Sequence, residues 1–258
     1  MKSKWLAIGL ALVSAGSVWA QAYVITTDGR RIDGTAIRAR PDGTIILTTG
    51  TGQLEFSRDR VRQAVAPRPP EFDQAVRALQ EKRYDDGIRL LQQVMRNLRF
   101  LSWDEQASKL LGRAHWEKGD REGAVRAFEE HLRMFPQAAQ DTEWIWFYYE
   151  VLLQTQQFQK LEPILNKLVA EGSRRDAARA QIMRGDIRLA RNELEAAVLD
   201  YLRAVMFYSS EKELMPGAML RVARTLERMR DPRAKDWYRK VVEEYPQSPE
   251  AAEARGKA

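Results

Sequence analysis

From residue 21 onwards, the pattern of apolar and polar positions changes once along the chain, close to residue 70. Before that point, short β-branched runs are separated by turn signals such as Asp28-Gly29, in which the glycine accepts a positive φ angle. After it, glycine and proline become sparse and apolar residues recur with a helical period of about 3.6 residues. The sequence therefore predicts a small β module followed by a long helical region.

The β-rich runs predict five short strands that form one small module over residues 21–66, because a lone hairpin would be marginally stable. We expect Gly34 to bend the second strand and a helical turn at Ser57–Asp59 to precede the last strand. The strands are predicted at Tyr23–Thr27, Arg31–Arg40, Thr44–Thr49, Gln53–Ser57 and Val61–Val65. This turn spacing resembles that of Sm-like and Src-homology-like proteins, and the resemblance implies a small five-stranded β barrel.

Three prolines lie within the segment Ala66–Pro70. Proline neither continues a helix nor donates a hydrogen bond within a central strand. Residues 67–70 are therefore predicted to be a short, stiff linker and a domain boundary. The helical region is predicted to span residues 71–258.

The helical region is built from an internal repeat. A small or apolar residue near the start of every second predicted helix recurs at spacings of 37, 37, 36 and 37 residues. A large apolar residue follows four positions later in each unit, and a third column follows three positions after that. The first of these columns holds Gly87, Ala124, Leu161, Ala197 and Ala234. Such spacing predicts a solenoid, in which each hairpin buries its apolar faces against its neighbours.

The second repeat contains Leu111, Gly112, His115, Gly119, Ala124, Phe128 and Pro136. Together these residues resemble the pattern of the tetratricopeptide repeat family. The resemblance implies a mainly α fold, an α-solenoid of about five helical hairpins followed by a short C-terminal cap. The third repeat departs from the pattern, because Tyr149 and Leu161 stand where small residues are usual.

In tetratricopeptide proteins the first helices of the hairpins line a concave groove, and the resemblance implies that this groove binds a peptide or helix of a partner. Mapping the repeats onto this chain places in the groove Lys109, Arg113, Trp116, Trp146, Glu150, Leu153, Arg179, Ile182, Asp186 and Leu189. Phe72 and Val76 occupy the positions at which chaperone-tail binders carry lysine and asparagine. Recognition of that specialised kind is therefore not expected.

The segment Trp144–Tyr149 consists of six consecutive large residues on one predicted helix. Such a run points to all sides of a helix, so some of its side chains must face the groove or the solvent. Two interpretations remain open. The run is either a binding hot spot centred on Trp146, since tryptophan and tyrosine dominate such sites, or a bulky core around a widened repeat.

Positive charge is concentrated in the β module. Residues 21–70 contain eight arginines and five acidic residues, whereas residues 71–258 contain 32 basic and 31 acidic residues. One interpretation is a basic docking face for an acidic polymer, a membrane surface or a partner protein. A solvated surface of an arginine-rich chain is the favoured interpretation, and a nucleic-acid binder would usually carry a stronger excess.

The N-terminal residues have the three-part layout of a secretory signal peptide. Lys2 and Lys4 precede an apolar run, and small residues lead to a cleavage site before Gln21. We therefore predict a signal peptide at residues 1–20 and a bacterial protein that is periplasmic or secreted. An uncleaved membrane anchor is the alternative.

The chain offers little material for catalysis. It contains no cysteine and only two histidines, His115 and His131, both in structural columns of the second repeat. No metal, cofactor or small-molecule substrate is expected, and the chain is not expected to be an enzyme. The sequence instead predicts a non-enzymatic adaptor or scaffold of the bacterial cell envelope that binds another envelope protein. A self-assembling structural protein, and thus a homo-oligomer, is the alternative.

Overall fold

A computed structural model describes residues 22–258, so the predicted signal peptide at residues 1–20 lies outside the described residues. The chain divides into two compact units, one ending at Pro136 and the other beginning at Gln137. Over the described residues, the first unit contains six strands and four α-helices, and the second contains seven α-helices. No helix within this range is both long and apolar enough to cross a membrane.

The β module consists of two antiparallel sheets of three strands each. Its strands are β1 Ala22–Thr26, β2 Arg31–Gly34, β3 Ala36–Ala39, β4 Ile45–Thr49, β5 Gly52–Phe56 and β6 Val61–Val65. The strand orders are β2-β1-β6 and β3-β4-β5. A 3₁₀ turn at Arg58–Arg60 precedes β6. The strands lie at the predicted positions, but there are six and not five, because the run predicted as one bent strand at Arg31–Arg40 forms two strands, β2 and β3.

Gly34 lies where the chain passes from the first sheet to the second. A Cβ atom at this position would lie 2.5 Å from the Thr48 carbonyl oxygen and 2.6 Å from the Leu47 side chain, so only glycine allows this approach. The backbone N–H of Thr35 donates to the same carbonyl at 2.8 Å. Between residues 22 and 66 the two sheets nevertheless remain separate ladders. The predicted closed five-stranded barrel is therefore not confirmed.

The helices of the first unit form two hairpins that pack side by side. They are α1 Pro70–Gln80, α2 Tyr84–Asn97, α3 Trp103–Lys118 and α4 Arg121–Met134. Pro70 occupies the first helical turn of α1, where a missing N–H costs nothing. Asp120 caps α4 by accepting a hydrogen bond from the Gly123 N–H at 2.8 Å.

The connection between α2 and α3 is buried against the β module. Leu101 is 1% exposed and belongs to the same apolar core as Val24 and Leu47. The Ser102 Oγ donates to the Ala64 carbonyl at 2.8 Å, and the indole Nε1 of Trp103 donates to the Ala66 carbonyl at 2.8 Å. These contacts join the β module to the first hairpins in one compact unit, across the domain boundary that the sequence predicts at residues 67–70.

The second unit contains three hairpins and a short terminal helix. Its helices are α5 Thr142–Gln154, α6 Phe158–Glu171, α7 Arg174–Ala190, α8 Leu194–Phe207, α9 Met215–Arg228, α10 Ala234–Glu244 and α11 Pro249–Ala254. Side chains cap several of them: Asp141 accepts from the Trp144 N–H at 3.2 Å, and Ser173 accepts from the Asp176 N–H at 3.1 Å. The predicted C-terminal cap corresponds to α11.

The three predicted columns form the core of the hairpins. The first column lies at the fourth residue of α2, α4, α6 and α8 and at the first residue of α10, and all five of its residues are buried. The second column is almost fully buried and consists of Leu91, Phe128, Leu165, Tyr201 and Tyr238. The third column is buried in four units and half-buried at Leu168. The periodicity therefore identifies the faces on which the hairpins stack.

A residue with positive φ ends the first helix of every hairpin. These residues are Lys82, Gly119, Gln156, Asn192 and Arg230, with φ angles between 56° and 89°. A left-handed residue lets the chain reverse direction and satisfies the last carbonyls of the helix. Only one of the five is glycine, so the sequence alone did not reveal this second periodic feature.

Candidate functional site

The candidate site in the second unit is formed by its first helices, α5, α7 and α9. Two polar contacts connect these helices directly. The indole Nε1 of Trp146 on α5 donates to the Asp176 Oδ1 on α7 at 3.0 Å. The Arg221 Nε on α9 donates to the Asp186 Oδ1 on α7 at 2.8 Å. The three helices therefore lie side by side, as the predicted groove requires.

Arg179 on α7 is stacked on the ring of Trp146, and we call this pair the Trp146–Arg179 stack. The guanidinium carbon lies 4.1 Å from the ring centroid, a distance suited to a cation–π interaction. Trp146 is only 5% exposed, and Tyr149 packs edge-on against it at 5.3 Å between centroids. Burial, reinforced by the nearby charge of Asp176, raises the pKa of the Tyr149 phenol. Burial also lowers the pKa of the half-buried Arg179.

Asp186 is engaged by two donors. The Tyr201 hydroxyl donates to its Oδ1 at 2.8 Å, and Arg221 donates to the same oxygen. Burial and the adjacent carboxylate together raise the pKa of Tyr201, which therefore remains a donor at all ordinary pH values. Burial acts to lower the pKa of Arg221, but the Asp186 carboxylate raises it overall. This cluster fixes α7, α8 and α9 relative to one another.

The remaining predicted groove residues of the second unit are more buried than an open binding surface would require. Ile182 is 8% exposed, and Leu189 packs against the same apolar cluster. Leu153 is half-buried. Glu150 is also half-buried and accepts a hydrogen bond from the Gln154 side-chain amide at 2.6 Å. Its negative charge on α5 also contributes to the raised pKa of Arg221 on α9.

In the first unit, α3 carries the three other predicted groove residues. Lys109 and Trp116 are half-buried, and Arg113 is exposed. Arg121 is stacked on the Trp116 ring with its guanidinium carbon 3.6 Å from the centroid. The structure places all three on one helix at intervals of three to four residues, which is the spacing of a single helical face.

The aromatic run at Trp144–Tyr149 is mostly internal. Trp144, Ile145, Trp146 and Tyr148 are all less than 9% exposed. Phe147 and Tyr149 are half-buried. This burial favours the bulky-core interpretation for four of the six residues. Trp146 can therefore contribute to binding mainly by positioning the side chain stacked on it.

The basic face of the β module is partly neutralised by its own carboxylates. Arg30 pairs with Asp28 at 2.8 Å, and Arg31 pairs with Asp33 at 2.9 Å. Arg40, which directly follows β3, forms a two-pronged pair with Glu55 on β5. Surface pairs of this kind favour the interpretation as a solvated arginine-rich surface.

The two histidines have ordinary structural partners. The His115 Nδ1 lies 2.7 Å from the Asp120 Oδ2, at the cap of α4. His131 is 1% exposed, and its Nδ1 lies 3.1 Å from the Ser108 hydroxyl. In the described part of the chain, no cluster of three or more histidine and acidic side chains is suited to a metal ion.

Two participants in the site were not predicted from the sequence. Asp176 orients the Trp146 indole, and Arg221 connects Asp186 to α9. Asp176 lies at the third position of α7, where an acidic residue is common for reasons of helix capping. Arg221 lies in the fifth repeat, for which the sequence mapping named no groove residue.

Comparison with known proteins supports the repeat assignment. Family models described as tetratricopeptide repeat match residues 72–139 and 217–248. The chain therefore contains tetratricopeptide repeats over α1–α4 and over α9–α10. A search of curated proteins found no match.

Solved structures with a similar fold include several of the protein MamA. A MamA fragment from residue 41 to the end, from Desulfovibrio magneticus RS-1, is 22% identical, with 69% of this chain and 96% of that chain covered and a TM-score of 0.53. A double mutant of the RS-1 protein is 21% identical, with coverage of 70% and 96% and a TM-score of 0.51. At these identities the similarity establishes the fold alone.

Proposed function

We propose that this chain is a non-enzymatic interaction protein that binds a peptide or helix of another protein along the first helices of its hairpins. The observation that carries this proposal is the arrangement of α5, α7 and α9. Polar contacts connect these three helices side by side, and charged side chains such as Glu150, Arg179 and Arg221 are held half-buried on them. The column residues of the second helices, by contrast, are almost all buried between the hairpins and are not available to a partner.

The proposed location is the bacterial cell envelope, and the proposed partner is another envelope protein. The signal-like layout of residues 1–20 supports export, and a chain without cysteine would reach that oxidising compartment without disulfide bonds. The β module is proposed to be a small barrel-like unit that supports the first hairpins. Its paired arginines give no reason to assign it a separate ligand.

The test is a crosslinked pull-down from the native cell envelope with the full chain and two matched double variants. Glu150→Lys/Arg179→Glu changes the proposed groove of the second unit and leaves the net charge unaltered. Arg96→Glu/Glu171→Lys makes the same exchange at exposed positions of α2 and α6. We expect one protein to be captured by the wild type and by the control pair and to be lost with the groove pair. If the same partners persist with the groove pair, the groove assignment fails.

Self-assembly is the second candidate function, and a specific surface favours it. Leu199, Met206 and Phe207 on α8 are 53%, 71% and 63% exposed. Exposed apolar side chains grouped on one helix commonly mark an association surface. Light scattering of the purified chain should then show a defined oligomer, which Met206→Ser/Phe207→Ser converts to a monomer. A monomeric wild type over the micromolar range would exclude this alternative.

A further inference from the structure

Arg179 differs from the other arginines of α7 because no carboxylate lies within 4.0 Å of it in the described residues, although the charge of Asp176, three positions earlier on the same helix, acts on it. Arg175 and Arg188 each lie 2.5 Å from a glutamate oxygen, and Arg174 and Arg184 lie within 4.0 Å of one carboxylate each. No such ion pair forms at Arg179 among residues 22–258. Its contact is the face of the Trp146 ring.

The Trp146–Arg179 stack holds the guanidinium in one orientation. Trp146 is itself immobilised, since its Nε1 donates to Asp176 and its ring is packed against Tyr149. Asp176 is in turn held by the Ser173 hydroxyl at 2.6 Å. Stacking covers the face of the guanidinium but leaves the N–H groups along its edge available. An arginine held in this way can donate two parallel hydrogen bonds from the edge of its guanidinium group. Binding then costs little further side-chain conformational entropy, because the stack already holds the group in place.

The surroundings select a negatively charged ligand. Arg179 is half-buried, and its charge has lost part of its hydration, which the more distant charge of Asp176 offsets only in part because burial still lowers the pKa of Arg179. Arg175 lies one turn away on the same helix and adds positive potential, although it is paired with Glu213. A carboxylate arriving in the plane of the guanidinium would restore the missing hydrogen bonds. Carboxylates are also the anions that every protein partner can present.

We propose that the Trp146–Arg179 stack is a recognition subsite for a carboxylate of the partner, supplied by an aspartate or glutamate side chain of the bound segment. This inference rests on the proposed groove function and specifies its ligand chemistry. Arg179 would make the direct bonds. Trp146 and Asp176 would act as positioning residues.

The test uses the full chain and a phage-displayed library of random dodecapeptides, followed by synthesis of the enriched sequences. We expect enriched peptides to share an Asp or Glu at one aligned position. Replacing that residue by Asn or Gln should weaken binding to the wild type by about tenfold to a hundredfold, the usual range for a hydrogen bond to a charged group. The same replacement should have little effect on binding to Arg179→Gln.

The matched control is Arg175→Gln, which removes the same charge from the same helix one turn away. It should retain the acidic preference of the wild type if the interaction is specific to Arg179. Thermal melts of both variants establish that they are folded. Enriched peptides without an aligned acidic residue, or an acidic preference that survives in Arg179→Gln, would overturn this inference alone. If no peptide is enriched, both the inference and the proposed groove function are overturned.

Discussion

At the scale of single residues, close helix packing depends on pairing a glycine in a first helix with an aromatic ring in the second. A Cβ atom at Gly112 would lie 2.6 Å from the Phe128 ring, and one at Gly185 would overlap the Tyr201 ring. Both rings are fully buried, so they have no space into which they could retreat. The repeat pattern made these pairs predictable, because the same two positions recur in different hairpins.

Gly185→Ala should destabilise the protein by about 1–3 kcal/mol, because the added methyl group forces the Tyr201 ring out of a packed core. Gly217→Ala is the matched control on α9. Its added Cβ would meet only the flexible ends of two side chains, Arg221 at 3.3 Å and Glu250 at 3.8 Å. There we expect no loss, or a gain of about 0.5 kcal/mol from helix propensity. Urea unfolding measures both changes, and equal effects would contradict the packing argument.

Asp231 provides a pH-dependent contribution to stability. Its carboxylate accepts hydrogen bonds from the Arg233 side chain and backbone N–H, which lower its pKa from the usual 3.8 to about 2. A lowered carboxylate pKa stabilises the folded state above the unfolded value, and this contribution is lost as the pH falls from 3.8 towards 2. The destabilisation caused by Asp231→Asn should therefore be constant near neutrality and shrink over that acidic interval.

Denaturant unfolding at a series of pH values tests this expectation, with Asp236→Asn as a control on the exposed surface of α10. A destabilisation by Asp231→Asn that does not change between neutral pH and pH 3 would rule out the proposed linkage.

At the scale of elements, each hairpin is defined by two periodic features, the columns of its second helix and the left-handed residue at its turn. The sequence predicts the columns because an apolar side chain is required in every unit. It does not predict the turn residues, because Lys82, Gln156 and Arg230 carry no signal for a positive φ. Local backbone strain at these positions is outweighed by the packing of the helices on either side.

Relief of that strain should stabilise the turn between α5 and α6. Gln156 has a φ of 56°, a conformation that costs an ordinary residue more than it costs glycine. Gln156→Gly should therefore raise the free energy of unfolding by about 0.5–1 kcal/mol. The reciprocal change Gly119→Ala, at a φ of 89°, should lower it by about 1 kcal/mol. Thermal and urea unfolding of both variants would show opposite signs.

The third repeat should be destabilised if its Leu161 is replaced by the alanine that other repeats carry at this position. Leu161 is fully buried at the position that holds alanine in the second, fourth and fifth repeats. Leu161→Ala should destabilise by about 2–5 kcal/mol, since the wider hairpin would retain a cavity. The exposed Leu199→Ala should stay within about 0.5 kcal/mol of the wild type. A neutral Leu161→Ala would mean that the hairpin collapses onto the smaller residue.

At the scale of the whole molecule, features that leave a local sequence pattern could be predicted, whereas contacts between distant residues could not. The strands and the repeat columns were predictable because each leaves a local pattern. The burial of Leu101 in the β core was not predictable, because it joins residues far apart along the chain and involves a short interhelical connection without a repeat. The Trp146–Arg179 stack was partly predictable: repeat mapping placed both residues on first helices but could not show that the ring is buried.

Leu101→Ala should test whether the β module and the first hairpins unfold as one cooperative unit. Removing this side chain leaves a cavity in the β core and should cost about 2–5 kcal/mol. Because the connection is shared, hydrogen exchange should accelerate together in β1, β6 and the start of α3. Acceleration confined to the strands would show instead that the β module and the first hairpins open independently.

The buried connection at Leu101 also determines how this chain can be dissected. The prolines at residues 67–70 suggest a natural place to end a fragment. A fragment that ended there would lack Leu101 and so have a cavity in the core of the β module, and the Ala64 and Ala66 carbonyls would lose the side chains that donate hydrogen bonds to them. A fragment with a complete β core must therefore include Leu101, which lies about 30 residues after the prolines. For recombination, natural or engineered, the compact unit that ends at Pro136 keeps the β module together with the residues that complete its core.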